Sequence, residues 1–114
     1  MEDNRSAVAT IYKETMRSDG FLSALRENRV DEYGFQRLMD AVEALRSSVG
    51  SERTIDKVAV ACLFEVPWEI ENTVPHYRQR DPDLGILVSR MADTARSKIM
   101  DLLWEGLEEF YENP

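Results

Sequence analysis

The sequence predicts an all-α fold, a single-domain irregular bundle of five or six helices with a long C-terminal helix over about 82–111. Apolar residues recur at spacings of three and four along most of the chain, which is the period of a helix with one buried face. Glycine, serine and proline separate these segments at short intervals. Only one run, 58–66, is rich enough in β-branched residues to be a strand, and a lone strand has no partner to pair with.

Composition narrows the class of protein. The chain has 114 residues, enough for one domain with its own core and without disulfide or metal support. Its single cysteine, Cys62, lies in an apolar run and is expected to be a buried thiol in a reducing compartment. An acidic start and the lack of an apolar run of about 20 residues predict a soluble, cytoplasmic protein rather than an exported or membrane protein.

The charge is strongly negative and unevenly divided. The net charge is −8, and residues 58–114 carry 11 acidic but only 5 basic side chains. An acidic surface opposes the binding of phosphate groups. Nucleic acid and anionic membrane surfaces are therefore not expected partners.

The first helix is predicted over about 3–18, with its apolar face formed by Val8, Ile11, Tyr12 and Met16. It is expected to end at Gly20 in a left-handed cap. A short second helix follows over about 21–28. Asp31 is predicted to cap the third, which stops near 47–50 and buries Phe35, Leu38, Met39, Val42 and Leu45.

The fourth helix is predicted to begin at a Ser51 or Thr54 cap, with an inner row of Ile55, Val58, Ala59, Cys62, Val66 and Ile70. A buried strand over 58–66 is the alternative, but the helical spacing extends beyond both ends of that run. Pro67 removes a hydrogen bond, so the sequence predicts a kink there or two helices set nearly end to end. Pro75 is predicted to end this segment and to begin the connection to the last helix.

The last helix has the clearest start. Asp81 can cap its free N–H groups, Pro82 suits the first turn and Asp83 complements the helix dipole. Its core row is Leu84, Val88, Met91, Ala95, Ile99, Leu102, Gly106 and Phe110. About 30 residues at ~1.5 Å each give ~45 Å, whereas a compact globule of this size is ~34 Å across. The helix is thus predicted to overhang its own domain.

Six apolar residues face away from the predicted core rows and form the candidate interface: Met100, Trp104, Leu107, Tyr111, Phe64 and Trp68. The first four make a second row on the last helix, and the other two lie one turn apart beside Pro67. Glutamates surround both groups, and a basic partner would offset their charge. The alternative is that the earlier helices wrap both faces of the last helix, so that these side chains complete the core.

No catalytic, cofactor or metal site is predicted. His76 is the only histidine, and no serine or cysteine nucleophile is implied beside it. Cys62 on an inner helical row is expected to be inert. No Glu-x-x-His pair is present for a carboxylate-bridged metal, and the five glycines are too scattered to cradle a phosphate.

These observations predict an acidic cytoplasmic protein that binds other proteins as an adaptor, regulator or assembly chaperone, without catalysis or a small-molecule ligand, and as a homodimer. The alternative is an acidic inhibitor or immunity-type protein that blocks a basic surface of its target, and an enzyme comes third. A proline-interrupted middle followed by Asp81-Pro82-Asp83-Leu84 and a long last helix resembles the layout of RbcX, the dimeric helical assembly chaperone of Rubisco. The resemblance implies a chaperone-like role but assigns no site residue.

Overall fold

The computed structural model describes residues 4–108, and within that range it contains six helices and no strand. The helices are α1 (Arg5–Met16), α2 (Phe21–Arg26), α3 (Glu32–Val49), α4 (Lys57–Leu63), α5 (Val66–Arg80) and α6 (Pro82–Trp104). The predicted all-α bundle is confirmed. Its extents are 47 × 31 × 18 Å, so the bundle is elongated.

The connection from α1 to α2 differs from the prediction in the role of its glycine. Gly20 does not adopt the left-handed cap, because its backbone is extended and it forms the N-cap of α2. A side chain there would collide with α1, since a Cβ on Gly20 would lie 2.1 Å from the carbonyl oxygen of Lys13. Gly20 therefore permits close packing of α1 and α2, and the left-handed residue is Asn28, with φ +72°, after α2.

The start of α3 confirms the predicted cap. The side chain of Asp31 accepts a hydrogen bond of 2.9 Å from the backbone N–H of Gly34. Of the predicted apolar face, Leu38, Met39, Val42 and Leu45 are buried and Phe35 packs against the core. The face of α1 is only partly as predicted, because Ile11 is buried whereas Tyr12 and Met16 are exposed.

The start of α4 lies later than predicted. Asp56, rather than Ser51 or Thr54, caps the helix, and its carboxylate accepts hydrogen bonds from the N–H groups of Val58 and Ala59. An aspartate at this position satisfies two of the free N–H groups at once. Val58, predicted on the inner row, lies in the first turn of α4 and is 49% exposed.

Proline acts differently at its two positions in the middle of the chain. Pro67 lies in the first turn of α5, where its missing N–H costs nothing, so the chain breaks between Leu63 and Val66 into two helices. Pro75 was predicted to end the segment, and that prediction is wrong, because α5 continues through it to Arg80. The lost hydrogen bond would have involved the carbonyl of Glu71, an exposed residue, where water can replace it.

The last helix begins as predicted and ends earlier. Asp81 caps it by accepting from the N–H of Asp83 at 2.9 Å. α6 ends at Trp104, not at about 111, because Glu105 leaves the helical conformation and Gly106 turns the chain with φ +78°. Gly106 also packs on the loop after α3, where an added Cβ would lie 2.5 Å from the Cβ of Ser51.

α6 is shorter than predicted. Its 23 residues span about 35 Å at ~1.5 Å per residue, close to the ~34 Å expected for a compact globule of this size, so its length gives no reason to expect an overhang. The helix packs mainly against α5 and also against α3, and its predicted core row is confirmed at Val88, Met91, Ala95, Ile99 and Leu102. Phe110, the last residue predicted for that row, lies outside the described residues.

Candidate protein-interaction surface

Four of the six candidate interface residues have large apolar side chains that the described chain leaves exposed. The exposed fractions are 77% for Phe64, 61% for Trp68, 46% for Met100 and 42% for Trp104. Scattered exposed apolar residues are ordinary, but a concentration of aromatic ones marks an interaction site more often than a bare surface does. The question is whether the fold brings these four together.

The antiparallel packing of α5 and α6 places them at one end of the molecule. Near the other end, Gly85 approaches Arg78 so closely that a Cβ would lie 2.8 Å from the Cβ of Arg78. Further along, Arg96 and Glu71 form an ion pair of 2.7 Å. Continuing this register brings Phe64, at the end of α4, and Trp68, in the first turn of α5, level with the last turns of α6, which carry Met100 and Trp104. We call these four exposed side chains the end surface.

Of the other two candidates, the structure describes only Leu107. Leu107 was expected on the same helical row as Trp104, but it follows the turn at Gly106 and its side chain is only partly exposed. Its N–H bonds to the carbonyl of Trp104 at 3.1 Å, which closes the turn. Tyr111 lies outside the described residues. Of the predicted row, Met100 and Trp104 therefore lie on α6 and Leu107 does not.

A shallow concavity of about 360 Å³ adjoins the end surface on the α6 side. It is lined by Arg46, Met100, Asp101, Trp104, Glu105 and Glu108. Arg46 donates hydrogen bonds to Glu43 at 3.3 Å and to Glu105 at 2.6 Å. The bond to Glu43 raises the pKa of Arg46, and the same bond lowers the pKa of Glu43. The one cation at this concavity is thus held by the protein's own carboxylates.

The surroundings of the end surface are acidic. The two segments that carry it, 64–72 and 97–108, contain six acidic residues and one basic residue. Within residues 4–108, no ion pair involves Glu65, Asp101 or Glu108. The end surface therefore combines apolar side chains with carboxylates whose charge is not neutralised by neighbouring residues of the described chain.

His76 has a structural partner. Its Nε2 lies 2.6 Å from Oδ1 of Asn28, and Arg80 donates to the backbone and side-chain oxygens of Asn28 at 2.8 Å each. The buried Tyr77 donates from its hydroxyl to the carbonyl of Leu25 at 2.7 Å. The last turn of α5 thus holds the left-handed turn that follows α2.

The remaining candidates for chemistry are a reactive cysteine and a metal site. Cys62 is 5% exposed and reduced. Residues 4–108 contain no group of three or more histidine, cysteine, aspartate or glutamate side chains placed to hold a metal ion. No helix in the same range is long and apolar enough to cross a membrane.

The structure also contains a buried acid that the sequence analysis did not single out. Glu14 is fully buried, with its carboxylate accepting from the N–H of Phe21 at 3.0 Å and from Nε of Arg37 at 2.9 Å. It joins α1, the start of α2 and α3. The available signal was its position, since Glu14 follows the buried Ile11 by three residues and therefore shares its face.

Comparison with protein-family models, with curated proteins and with solved structures finds no match for this chain.

Proposed function

We propose that this protein acts by binding another protein through the end surface, as a cytoplasmic adaptor, regulator or assembly factor, and that it carries out no catalysis. One observation carries the proposal: Phe64, Trp68, Met100 and Trp104 are exposed, and the register of α5 against α6 brings them to the same end of the bundle. A partner that covers them removes apolar area from water. At ~25 cal/mol per Å², an aromatic side chain that loses about 100 Å² of exposed area contributes about 2.5 kcal/mol.

An interface explains the exposure of these side chains better than a lack of space in the core does. The core already contains large side chains at full burial, including Phe21 and Tyr77, so the fold does not lack positions for aromatic residues. Exposing Phe64 and Trp68 to water has no benefit for folding. Tryptophan and tyrosine are enriched where binding energy is concentrated, which supports Trp68 and Trp104 as anchors.

Affinity capture with matched variants tests the proposal. The surface variant carries Phe64→Ala and Met100→Ala, and the control carries Tyr33→Ala and Ile86→Ala. The control removes an aromatic and an aliphatic side chain that are similarly exposed, at 82% and 51%, but lie away from the end surface. We expect proteins captured by the wild type and the control to be lost from the surface variant. Capture that is the same with all three proteins would refute the proposal.

The homodimer expected from the sequence is a special case in which the end surface meets a second copy. Sedimentation equilibrium of the wild type and the same two variants tests it directly. A dimer that dissociates at least tenfold more readily in the surface variant supports self-association through the end surface. A wild type that remains monomeric at high concentration excludes the dimer and leaves binding to a different protein.

A second candidate function is supported by the local charge. Six acidic residues against one basic residue in the segments 64–72 and 97–108 suit an inhibitor or immunity-type protein that covers a basic surface of its target. Such a protein associates through long-range attraction, so its association rate falls steeply with salt. Association with the captured partner at about 50 mM and 500 mM salt separates this candidate from a purely apolar contact.

A further inference from the structure

We infer that the occupant of the end surface is a basic amphipathic helix supplied by a different protein. This inference rests on the proposed function and deepens it by naming the kind of partner. It follows from three properties of the end surface: the lack of a strand edge, the charge around it and the repulsion that would result from pairing it with a second copy.

The backbone argument favours a helical partner. The described residues contain six helices and no strand, so the end surface offers no strand edge. An extended segment would bring its own unpaired backbone groups to a surface on which they cannot add a strand. A helix satisfies its backbone internally and presents only side chains. Its anchors at a four-residue spacing match the spacing of Met100 to Trp104 on α6.

The charge argument favours a basic partner. Glu65, Asp101 and Glu108 border the end surface without an ion pair to another described residue. The cations that come near are already engaged, since Arg46 is bound to Glu43 and Glu105 and Arg96 is bound to Glu71. A helix with lysine or arginine flanking its apolar face therefore meets carboxylates that have no competing partner in the described chain. Complementary charge of this kind guides association and selects the partner.

The same charge argument disfavours a second copy of the chain. In a two-fold dimer through the end surface, each residue near the axis meets its own kind. Glu65, Asp101 and Glu108, which have no ion pair to another described residue, would meet the same three carboxylates of the other copy, whereas Glu69, Glu71 and Glu105 are each paired with an arginine of their own chain. Like charges brought together oppose the contact, whereas a basic helix replaces that repulsion with attraction.

The protein contains its own reporter for the test. Its only two tryptophans are Trp68 and Trp104, so the emission of tryptophan from the intact chain arises entirely from the end surface. The probes are two designed peptides of about 18 residues, five helical turns, with leucine on one face. One has lysine on the other face and its counterpart has glutamate. Neither contains tryptophan, and each is titrated into the full-length protein.

We expect the lysine peptide to shift the emission to shorter wavelength and to bind at least about tenfold more tightly than the glutamate peptide at about 50 mM salt. The difference should shrink at about 500 mM salt because the charges are screened. Phe64→Ala should weaken binding of the lysine peptide about tenfold, while the equally exposed Tyr33→Ala leaves it unchanged.

A charge-matched pair of variants separates local charge from the total charge of the protein. The first neutralises the border of the end surface with Glu65→Gln, Asp101→Asn and Glu108→Gln. The second removes the same number of charges from exposed acids elsewhere, with Glu27→Gln, Glu32→Gln and Asp83→Asn. We expect the first to weaken binding of the lysine peptide at least fivefold and the second to change it less than twofold.

Three outcomes would overturn the inference. Equal affinity for both peptides, or equal loss in both charge variants, removes the basic partner but leaves a protein-binding end surface in place. No binding of either peptide removes the helical occupant, and affinity capture then decides the proposed function separately. Wild-type dimerisation that depends on Phe64 and Met100 identifies the occupant as a second copy, which contradicts the inference and supports the proposed function.

Discussion

Replacement of Glu14 tests how the first three helices are held together. Its carboxylate is fully buried and accepts from the backbone N–H of Phe21 at 3.0 Å and from Arg37 at 2.9 Å. The hydrogen bond with Glu14 raises the pKa of Arg37, which agrees with a close, well-aligned contact. Lys13 adds a weaker contact at 3.3 Å. The prediction is that Glu14→Ala lowers the free energy of unfolding by about 3–5 kcal/mol.

The magnitude follows from what the substitution leaves behind. The N–H of Phe21 becomes a buried donor without a partner, which costs about 1–3 kcal/mol. The emptied volume of the side chain adds about 1–2 kcal/mol because neighbouring helices relax only partly. Arg37 loses its partner as well, but its side chain is 50% exposed and water replaces the contact for less than about 1 kcal/mol.

Urea denaturation followed by circular dichroism measures the change, and Glu14→Gln and Arg37→Ala serve as comparisons. Glu14→Gln keeps an oxygen for Phe21 but loses the charge, so it should cost about 1–2 kcal/mol. Arg37→Ala should cost less than about 1 kcal/mol. For 114 residues the Glu14→Ala change corresponds to a fall in melting temperature of about 12–20 °C. A loss below about 1 kcal/mol for Glu14→Ala, or a loss for Arg37→Ala that exceeds the loss for Glu14→Ala, would refute this account.

Two further substitutions test the turn after α6 and the burial of Tyr77. Gly106→Ala should cost about 2–3 kcal/mol, because it adds a clash with Ser51 to the strain of a positive φ. A loss below about 1 kcal/mol in thermal melts would contradict the contact. Burial raises the pKa of Tyr77. The contribution of Tyr77 to the free energy of unfolding should therefore be fully present below the unfolded-state pKa of about 10 and should be lost as pH rises through the folded-state pKa. Tyr77→Phe should abolish that decline while losing about 1 kcal/mol at neutral pH, since it removes the hydroxyl's bond to the carbonyl of Leu25, which keeps its bond of 3.3 Å from the N–H of Asn28. An unchanged alkaline melting profile would contradict this prediction.

Features that depend on a few neighbouring residues could be predicted from the sequence. The caps at Asp31 and Asp81 require only a carboxylate two or three residues before a free N–H. The apolar rows of α3 and α6 follow from helical geometry and the removal of apolar area from water. For the same reason the buried row from Cys62 to Val66 and Ile70 survives the break at Pro67.

The tertiary structure decided where helices end and which surfaces remain exposed. Gly106 fits a helical core row in the sequence, but its contact with Ser51, more than 50 positions away, belongs to a left-handed turn that ends α6. α5 continues through Pro75 because its last turn is anchored elsewhere, by the bond of Tyr77 to Leu25. The end surface likewise depends on the register of α5 against α6. Periodicity identifies which side chains share a face of one helix, but only the packing of distant segments determines whether that face is covered.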